Sequence, residues 1–509
     1  MLARARTFTI EGLRARAVTV EVDIRAGLPA FTIVGLASTA VREARDRVRA
    51  AVLNSGFEFP AQRITANLAP ADVPKAGPGL DLALACAVLA ASGQASSDLL
   101  ESHALFGELA LDGGVRASLG ALAVAEASSK AGMRMLLVGP QNAPEAMLVR
   151  GLAVGVVECL RSAVRVLGGG QPDTLTVQPR RGVSRTLTGA LDLSEVRGQR
   201  IAVRALTVAA AGGHNSLLWG PPGSGKTMLA QRLSSVLPPL TRAEAIEVTR
   251  IHSVTGRLAA GQLVGERPFR APHHSISTAG LIGGARPGQV GEAVLAHNGV
   301  LFLDELSEFA RPTLEALRQP LEEGRVAIAR ARHSAVYPAR FMLVAASNPC
   351  PCGYAGEHER CRCGDADMAR HRRRLSGPLL DRIDLLVAVG RPSCEELRAP
   401  ACTTSERVRQ QVLEARERQA LRLREEGIRL NAHMSVAMLS RCAPLDERAQ
   451  ETLAAAHRRG LLSARGQHRV LRVARTLADL AGRGRVQAEH VREALSLRSD
   501  ALLQASRAA

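Results

Sequence analysis

The run Gly220-Pro221-Pro222-Gly223-Ser224-Gly225-Lys226-Thr227 fits the pattern GxxxxGK[ST] and follows a short apolar stretch, Ser216 to Trp219. Such a run restricts the chain to strand, loop and helix in that order. The glycines let the backbone curl so that successive N–H groups point at phosphate oxygens. The lysine then reaches the β- and γ-phosphates, the hydroxyl meets Mg²⁺, and the helix N-terminus favours negative charge. Lys226 is one of only three lysines, with Lys75 and Lys130, among 66 basic residues. A chain that otherwise uses arginine keeps a compact ammonium where a planar fork fits poorly between phosphates. ATP and Mg²⁺ are therefore the expected cofactors of an α/β core spanning residues 187–394.

The second half of such a site is an apolar strand ending in acid, and Gly299-Val-Leu-Phe-Leu-Asp304-Glu305 supplies it. Asp304 is expected to hold Mg²⁺, directly or through water, and Glu305 to polarise the attacking water. A further buried strand, Phe341 to Ala346, ends at Asn348, which places an amide where a γ-phosphate sensor is needed. Arg382 follows a short helix and precedes another strand; its permanent charge suits a phosphoryl transition state reached from a neighbouring subunit. In the helical tail Arg465 is the first choice for a contact with the nucleotide of its own subunit.

With 509 residues the chain holds several domains, each able to bury a core. Residues 1–167 alternate short strands (Ala17–Val22, Phe31–Val34, Ile64–Leu68, Met135–Val138) with helical patterns such as Thr39–Asn54, and Leu82–Ala91 is expected to be a buried helix. Residues 168–186 are rich in Gly and polar groups and are expected to form a linker. Residues 395–509 carry helical periodicity broken near Pro444 and Gly460. No apolar run approaches the ~18 residues of a membrane span, and the N-terminus has no continuous apolar segment of the signal-peptide kind. A cytoplasmic protein without a membrane partner is the expectation.

The net charge is +18, with most of the surplus beyond the first domain. A polyanion such as nucleic acid is the leading partner, although charge for solubility alone gives the same sum. Aromatic residues make up 2% of the chain, so backbone phosphates are a better target than stacked bases.

Four cysteines fall within fourteen residues, Cys350-Pro-Cys352-Gly and Cys361-Arg-Cys363-Gly. Two pairs folded over one ion would make a tetrahedral thiolate site, with zinc the leading occupant; a redox-sensitive loop is the alternative, and His358 or His371 could replace a thiolate.

These elements in this order resemble the AAA+ ATPases, and the run from Asp192 to Gln199 looks like their adenine-proximal segment. The stretch Pro312 to Arg340, with a hairpin-like Gly324 to His333, resembles the magnesium-chelatase and MCM-helicase branch. There the hairpin projects toward a ring pore, which makes Arg325, Arg330, Arg332 and His333 the expected DNA contacts; an exposed hairpin kept soluble by its charge is the alternative. Val73 to Asp81, Gly107-Glu108-Leu109 and Met135 to Asn142 resemble the proteolytic domain of Lon, an S5-like α+β fold. The serine of that family falls at Gly79 and its lysine near Leu119 to Leu122, where this chain has none, so the resemblance implies a proteolytically dead domain for assembly or DNA contact.

The whole pattern, with Arg270-Ala-Pro-His-His-Ser275 and Ser376 to Leu385, is similar to the ComM/YifB family of magnesium-chelatase-like proteins. The resemblance implies an AAA+ core, a helical lid, and a homo-hexameric motor acting on single-stranded and branched DNA. Its implied task is branch migration of recombination intermediates, as in natural transformation. A magnesium-chelatase-like ATPase that remodels a protein partner is the alternative.

Overall fold

Strict alternation builds the first sheet. In β2 (Arg14–Arg25) the side chains of Val18, Val20, Val22 and Ile24 are buried while the residues between them are not, and β2 pairs antiparallel with β1 (Leu2–Glu11) across Gly12. The computed structural model describes residues 2–35, 39–75, 77–173, 191–258, 262–284, 289–330, 333–355, 360–375, 377–401, 403–460 and 462–498. The chain forms two compact units. One comprises 1–183, 241–265 and 329–337, the other 184–240, 266–328 and 338–509. Most of the expected linker lies outside the described residues.

In the first unit, β3 (Ala30–Val34), β4 (Arg63–Ala69), β5 (His103–Phe106), β8 (Met135–Val138) and β9 (Ala153–Val156) join β1 and β2 in the order β3-β4-β2-β1-β5-β8-β9. A small ribbon, β6 (Glu108–Leu109) with β7 (Val115–Arg116), stands apart. The sheet is mixed, antiparallel about β2 and parallel from β1 to β9. The helix Asp81–Ala91 is buried along its whole length, as the apolar run Leu82–Ala91 predicts. Asp81 at its start is paired through two bonds with Arg47, at 2.8 and 3.1 Å. Burial still pushes its carboxyl up to about 6, against the pull of Arg47.

Gly79 lies just before this helix. A Cβ there would meet the Phe106 ring at 2.3 Å, so the position has no room for a hydroxyl-bearing side chain. The segment 241–265, which interrupts the nucleotide-binding sequence, contributes the helix Arg242–Val254 to this unit. Arg250 pairs with Glu126 at 2.8 Å, and Ser253 donates to Glu145, whose other bond at 2.7 Å is accepted from the Leu122 N–H.

In the second unit five parallel strands run in the order β11 (Phe269–Arg270), β12 (Val300–Leu303), β15 (Met342–Ser347), β10 (Ser216–Trp219), β16 (Leu385–Ala388). Leu217, Leu301, Leu303 and Leu343 fill the core on one face, while Leu218, Val300, Phe302 and Val344 fill the other. Both faces being covered explains why these strands read as continuous apolar runs. In sequence between β12 and β15, β13 (Arg325–Arg330) pairs with β14 (His333–Pro338) as a ribbon whose residues 329–337 fall in the first unit.

The expected helical tail is present as Ser405–Arg422, Val436–Cys442, Glu447–Arg458, Ala464–Leu480 and Ala488–Ser496. Val412, Ala415, Val470 and Leu477 join the core under the helix Arg200–Gly212, and Arg416 and Gln419 donate to carbonyls of that helix. Arg475, almost fully buried, is neutralised by Asp479, which also receives Arg422 and Asn431. No helix of the described residues is long and apolar enough to cross a membrane.

Candidate active site

The C-terminal end of β10 is flanked by β15 and β16, a position from which loops diverge and ligands bind in open parallel sheets. Gly220 leaves the strand against its neighbour so closely that a Cβ would lie 2.0 Å from the Val389 carbonyl oxygen. Gly223 and Gly225 follow at φ 76° and 89°, the left-handed region a side chain would resist. Between them Ser224 is buried, and from Lys226 the helix runs to Val236. Gln199 braces the loop from behind, donating to the carbonyls of Ser224 at 3.3 Å and Gly390 at 2.7 Å.

Lys226 curls over this loop. Its ammonium donates to the carbonyls of Gly220 at 2.7 Å and Pro221 at 2.9 Å and to Asn348 Oδ1 at 3.2 Å. Burial lowers its pKa, while the charges of Asp304 and Glu305 act to raise it. The Thr227 hydroxyl donates to Asp304 Oδ2 at 2.7 Å. Lys226, Thr227, Asp304 and the Asn348 amide, far apart in sequence, are thus brought together at one edge of the sheet.

Asp304 and Glu305 emerge from β12, whose four residues are all buried. Glu305 adopts φ 52° and ψ 50°, a left-handed conformation that costs a non-glycine residue roughly 1–2 kcal/mol. Its N–H donates to Asp304 Oδ1 at 2.9 Å, which fixes the Asp304 carboxylate against the backbone at the strand end. His274 Nδ1 lies 3.3 Å from Glu305 Oε2, with its ring edge-on to Phe309 and 4.0 Å from the His273 ring.

From sequence His273 and His274 are expected to be structural or pore-facing, without a metal; the structure carries them out of the two-residue strand β11, which pairs in parallel with β12. Residues just beyond it emerge on the same edge as Asp304. The run Asp192–Gln199, expected near the adenine, is held to the phosphate-loop helix by Arg232, which donates to the Asp192 carbonyl at 2.9 Å and pairs with Glu195.

Arg382 follows the helix Gly377–Leu380 and pairs with Glu322; burial, with the charges of Arg318 and Arg465, lowers its pKa. Arg465, expected beside its own subunit's nucleotide, has its ion pair with Asp381 at 3.6 Å, next to Arg382. Arg325 is exposed on the ribbon and bonded to Glu323 at 2.9 Å. Arg330 closes β13 and His333 opens β14, while Arg332 lies outside the described residues.

The thiols of Cys350, Cys352, Cys361 and Cys363 all lie within 4.8 Å of one another. Cys350 is 3.3 Å from Cys352 and 3.9 Å from Cys361, and Cys352 and Cys361 are 3.8 Å apart. A tetrahedron of sulfurs about zinc, with Zn–S ~2.3 Å, has edges of about 3.8 Å, so the donor set fits. Of the two histidines weighed as substitutes, His371 is engaged elsewhere, its Nε2–H donating to the Asn348 carbonyl at 3.0 Å, and His358 lies outside the described residues.

Comparison with known proteins matches residues 192–397 to the family model for magnesium chelatase subunit ChlI, residues 20–142 to a second ChlI model, and residues 402–498 to the model for the ChlI C-terminal part. A protein named YifB from Salmonella typhimurium is 43% identical over 501 residues, covering 98% of this chain and 97% of its own. Competence protein ComM from Haemophilus influenzae is 43% identical over 493 residues, 96% of either chain. The magnesium-chelatase 38 kDa subunit of Acidiphilium rubrum is 27% identical over 180 residues, 30% of this chain and 51% of its own.

Proposed function

Because this chain belongs to the ComM/YifB family of magnesium-chelatase-like proteins, we propose that it is an ATP-driven DNA motor that moves the branch points of recombination intermediates. The observation that carries the reading is the meeting of Lys226, Thr227, Asp304, Glu305 and Asn348 at one sheet edge.

ATP would lie along Gly220 to Thr227, its phosphates on the loop N–H groups and on Lys226. Thr227 Oγ1 and Asp304 Oδ2, 2.7 Å apart, are two hard oxygens near the ~3 Å edge of an Mg²⁺ octahedron with Mg–O ~2.1 Å. Mg²⁺, when bound, supplies charge neutralisation at the β- and γ-oxygens. Glu305 accepts the proton of the attacking water, and His274 Nδ1, 3.3 Å from Glu305 Oε2, orients the carboxylate. Asn348 orients the γ-phosphate from the opposite side. Arg382 serves the site of a neighbouring subunit in a homo-hexamer, and Arg465 contacts the nucleotide of its own subunit.

The net charge of +18 and the arginine-bearing ribbon support DNA as the partner, with Arg325, Arg330, Arg332 and His333 toward its phosphates. The residues 1–167 form an assembly or DNA-contacting domain, 395–509 the helical lid, and the four cysteines hold zinc. The cytoplasm is the proposed location.

ATP turnover measured without DNA and with single-stranded, duplex and four-way-junction DNA tests the reading. Stimulation by DNA, greatest with the junction and absent from Lys226→Ala, is expected. Turnover indifferent to every DNA at low salt would contradict it and favour the remodelling of a protein partner, as in the chelatases.

A further inference from the structure

We propose that a zinc ion held by Cys350, Cys352, Cys361 and Cys363 positions Asn348 and the phosphate loop, so that occupancy of the thiolate site sets the rate of ATP hydrolysis. The inference rests on the reading of this edge as an ATPase site and adds to it a metal-dependent positioning device.

The chain closes a ring around the sensor residue. Asn348 is separated from the first thiolate only by Pro349, so any restraint on Cys350 is transmitted through a stiff dipeptide. After the second pair, Gly364 caps the helix Asp365–Arg374, and His371 on that helix returns to the Asn348 carbonyl at 3.0 Å. His371 is buried, which makes this bond costly to leave unmade. Asn348 is thus held from both sides, by the thiolate loop in front and by the helix that the same loop positions. Its amide oxygen meanwhile accepts from Lys226.

The same loop also reaches the phosphate loop. Gly353, at φ 87°, passes so close to Pro222 that a Cβ would lie 2.7 Å from Pro222 Cδ. Arg391 donates to the Pro222 carbonyl at 3.3 Å and lies over the Tyr354 ring at 5.3 Å. Displacing this turn therefore displaces Pro222 or opens the contact. Four thiolates gathered without a cation would repel one another, whereas one Zn²⁺ converts that repulsion into a cross-link.

The test uses the full-length protein purified without chelator. Zinc per chain is measured by mass spectrometry, kcat and KM for ATP by a coupled assay, and fold by thermal melting. One zinc per chain is expected. Removal by chelation, or by the double substitution Cys361→Ser and Cys363→Ser, is expected to lower kcat about tenfold or more with KM changed by less than about twofold. Adding Zn²⁺ back restores the stripped wild type and not the double variant.

Asn348→Ala lowers kcat by itself, and stripping zinc from that variant is expected to lower it no further, because the metal acts through the residue already removed. His371→Phe keeps all four thiols and the zinc while breaking the bond to Asn348; a fall in kcat of about threefold or more at unchanged zinc content is expected, and it stands even where stripped protein melts early. Full kcat without zinc, losses from stripping and Asn348→Ala that multiply, or an unaffected His371→Phe would each overturn the inference. Protein that hydrolyses ATP but carries disulfides or no metal overturns it alone. Protein that carries zinc and hydrolyses nothing overturns the ATPase reading and the inference with it.

Discussion

Glu305 concentrates what individual residues contribute. It is held in a left-handed conformation by the bond from its own N–H to Asp304, its carboxylate more than half exposed and beside His274. Glu305→Gln keeps size and conformation but removes the proton acceptor, so kcat is expected to fall by about 10²-fold or more while an ATP analogue binds as before. Retained turnover in a single-turnover assay would show that another group takes the proton. Gly353 is the second telling position. Gly353→Ala places a Cβ at a positive φ and 2.7 Å from Pro222, at a cost of about 1–2 kcal/mol. Melting by scanning fluorimetry is expected to fall by roughly 2–8 °C, with less recovery on adding nucleotide than in the wild type. The phosphate loop, the acidic pair and the four cysteines could be found in the sequence because each is a local spacing. His274, Gln199 and His371 could not, since each meets its partner only through a strand pairing or a helix return.

Among the elements, the helix Arg242–Val254 shows where sequence pattern stops. Thr241 and Glu244 form a capping box that announces a helix. Nothing local announces that it packs in the first unit, a choice made by Arg250 with Glu126 and by Ser253 with Glu145, more than a hundred residues away. Glu145 lies buried between this helix and the start of the helix Ala121–Lys130, and burial raises its pKa above the ordinary glutamate range. A carboxyl with a raised folded-state pKa contributes stability that is present below its unfolded value and lost as pH rises through the folded value. Glu145→Gln keeps the accepting oxygen and does not ionise. Its stability relative to wild type is expected to improve as pH rises above the ordinary glutamate range, read as urea midpoints; a pH-independent difference would contradict the assignment. The long helix Thr39–Asn54, with one clear period, and the short apolar strand Ser216–Trp219 stand at the residues the sequence indicates. The strand β11, with two residues, has no period to read.

For the whole molecule, 509 residues with a net charge of +18 are organised as two units, one around a mixed seven-stranded sheet and one around a parallel five-stranded sheet with its helical tail. If backbone phosphates are the principal contact, DNA affinity is expected to fall by about 10³-fold between ~50 and ~200 mM salt for some six contacts, and a flat salt response would argue against the charge-based account. The central claim is that the Lys226–Asp304–Glu305 site drives movement along branched DNA. It is tested most directly by following a mobile four-way junction labelled on two arms as wild type and Glu305→Gln act on it with ATP. Wild type is expected to resolve the junction to two duplexes and the variant to bind it without resolving it. Resolution by the variant at the wild-type rate, or none by wild type under conditions where it hydrolyses ATP, would contradict the claim.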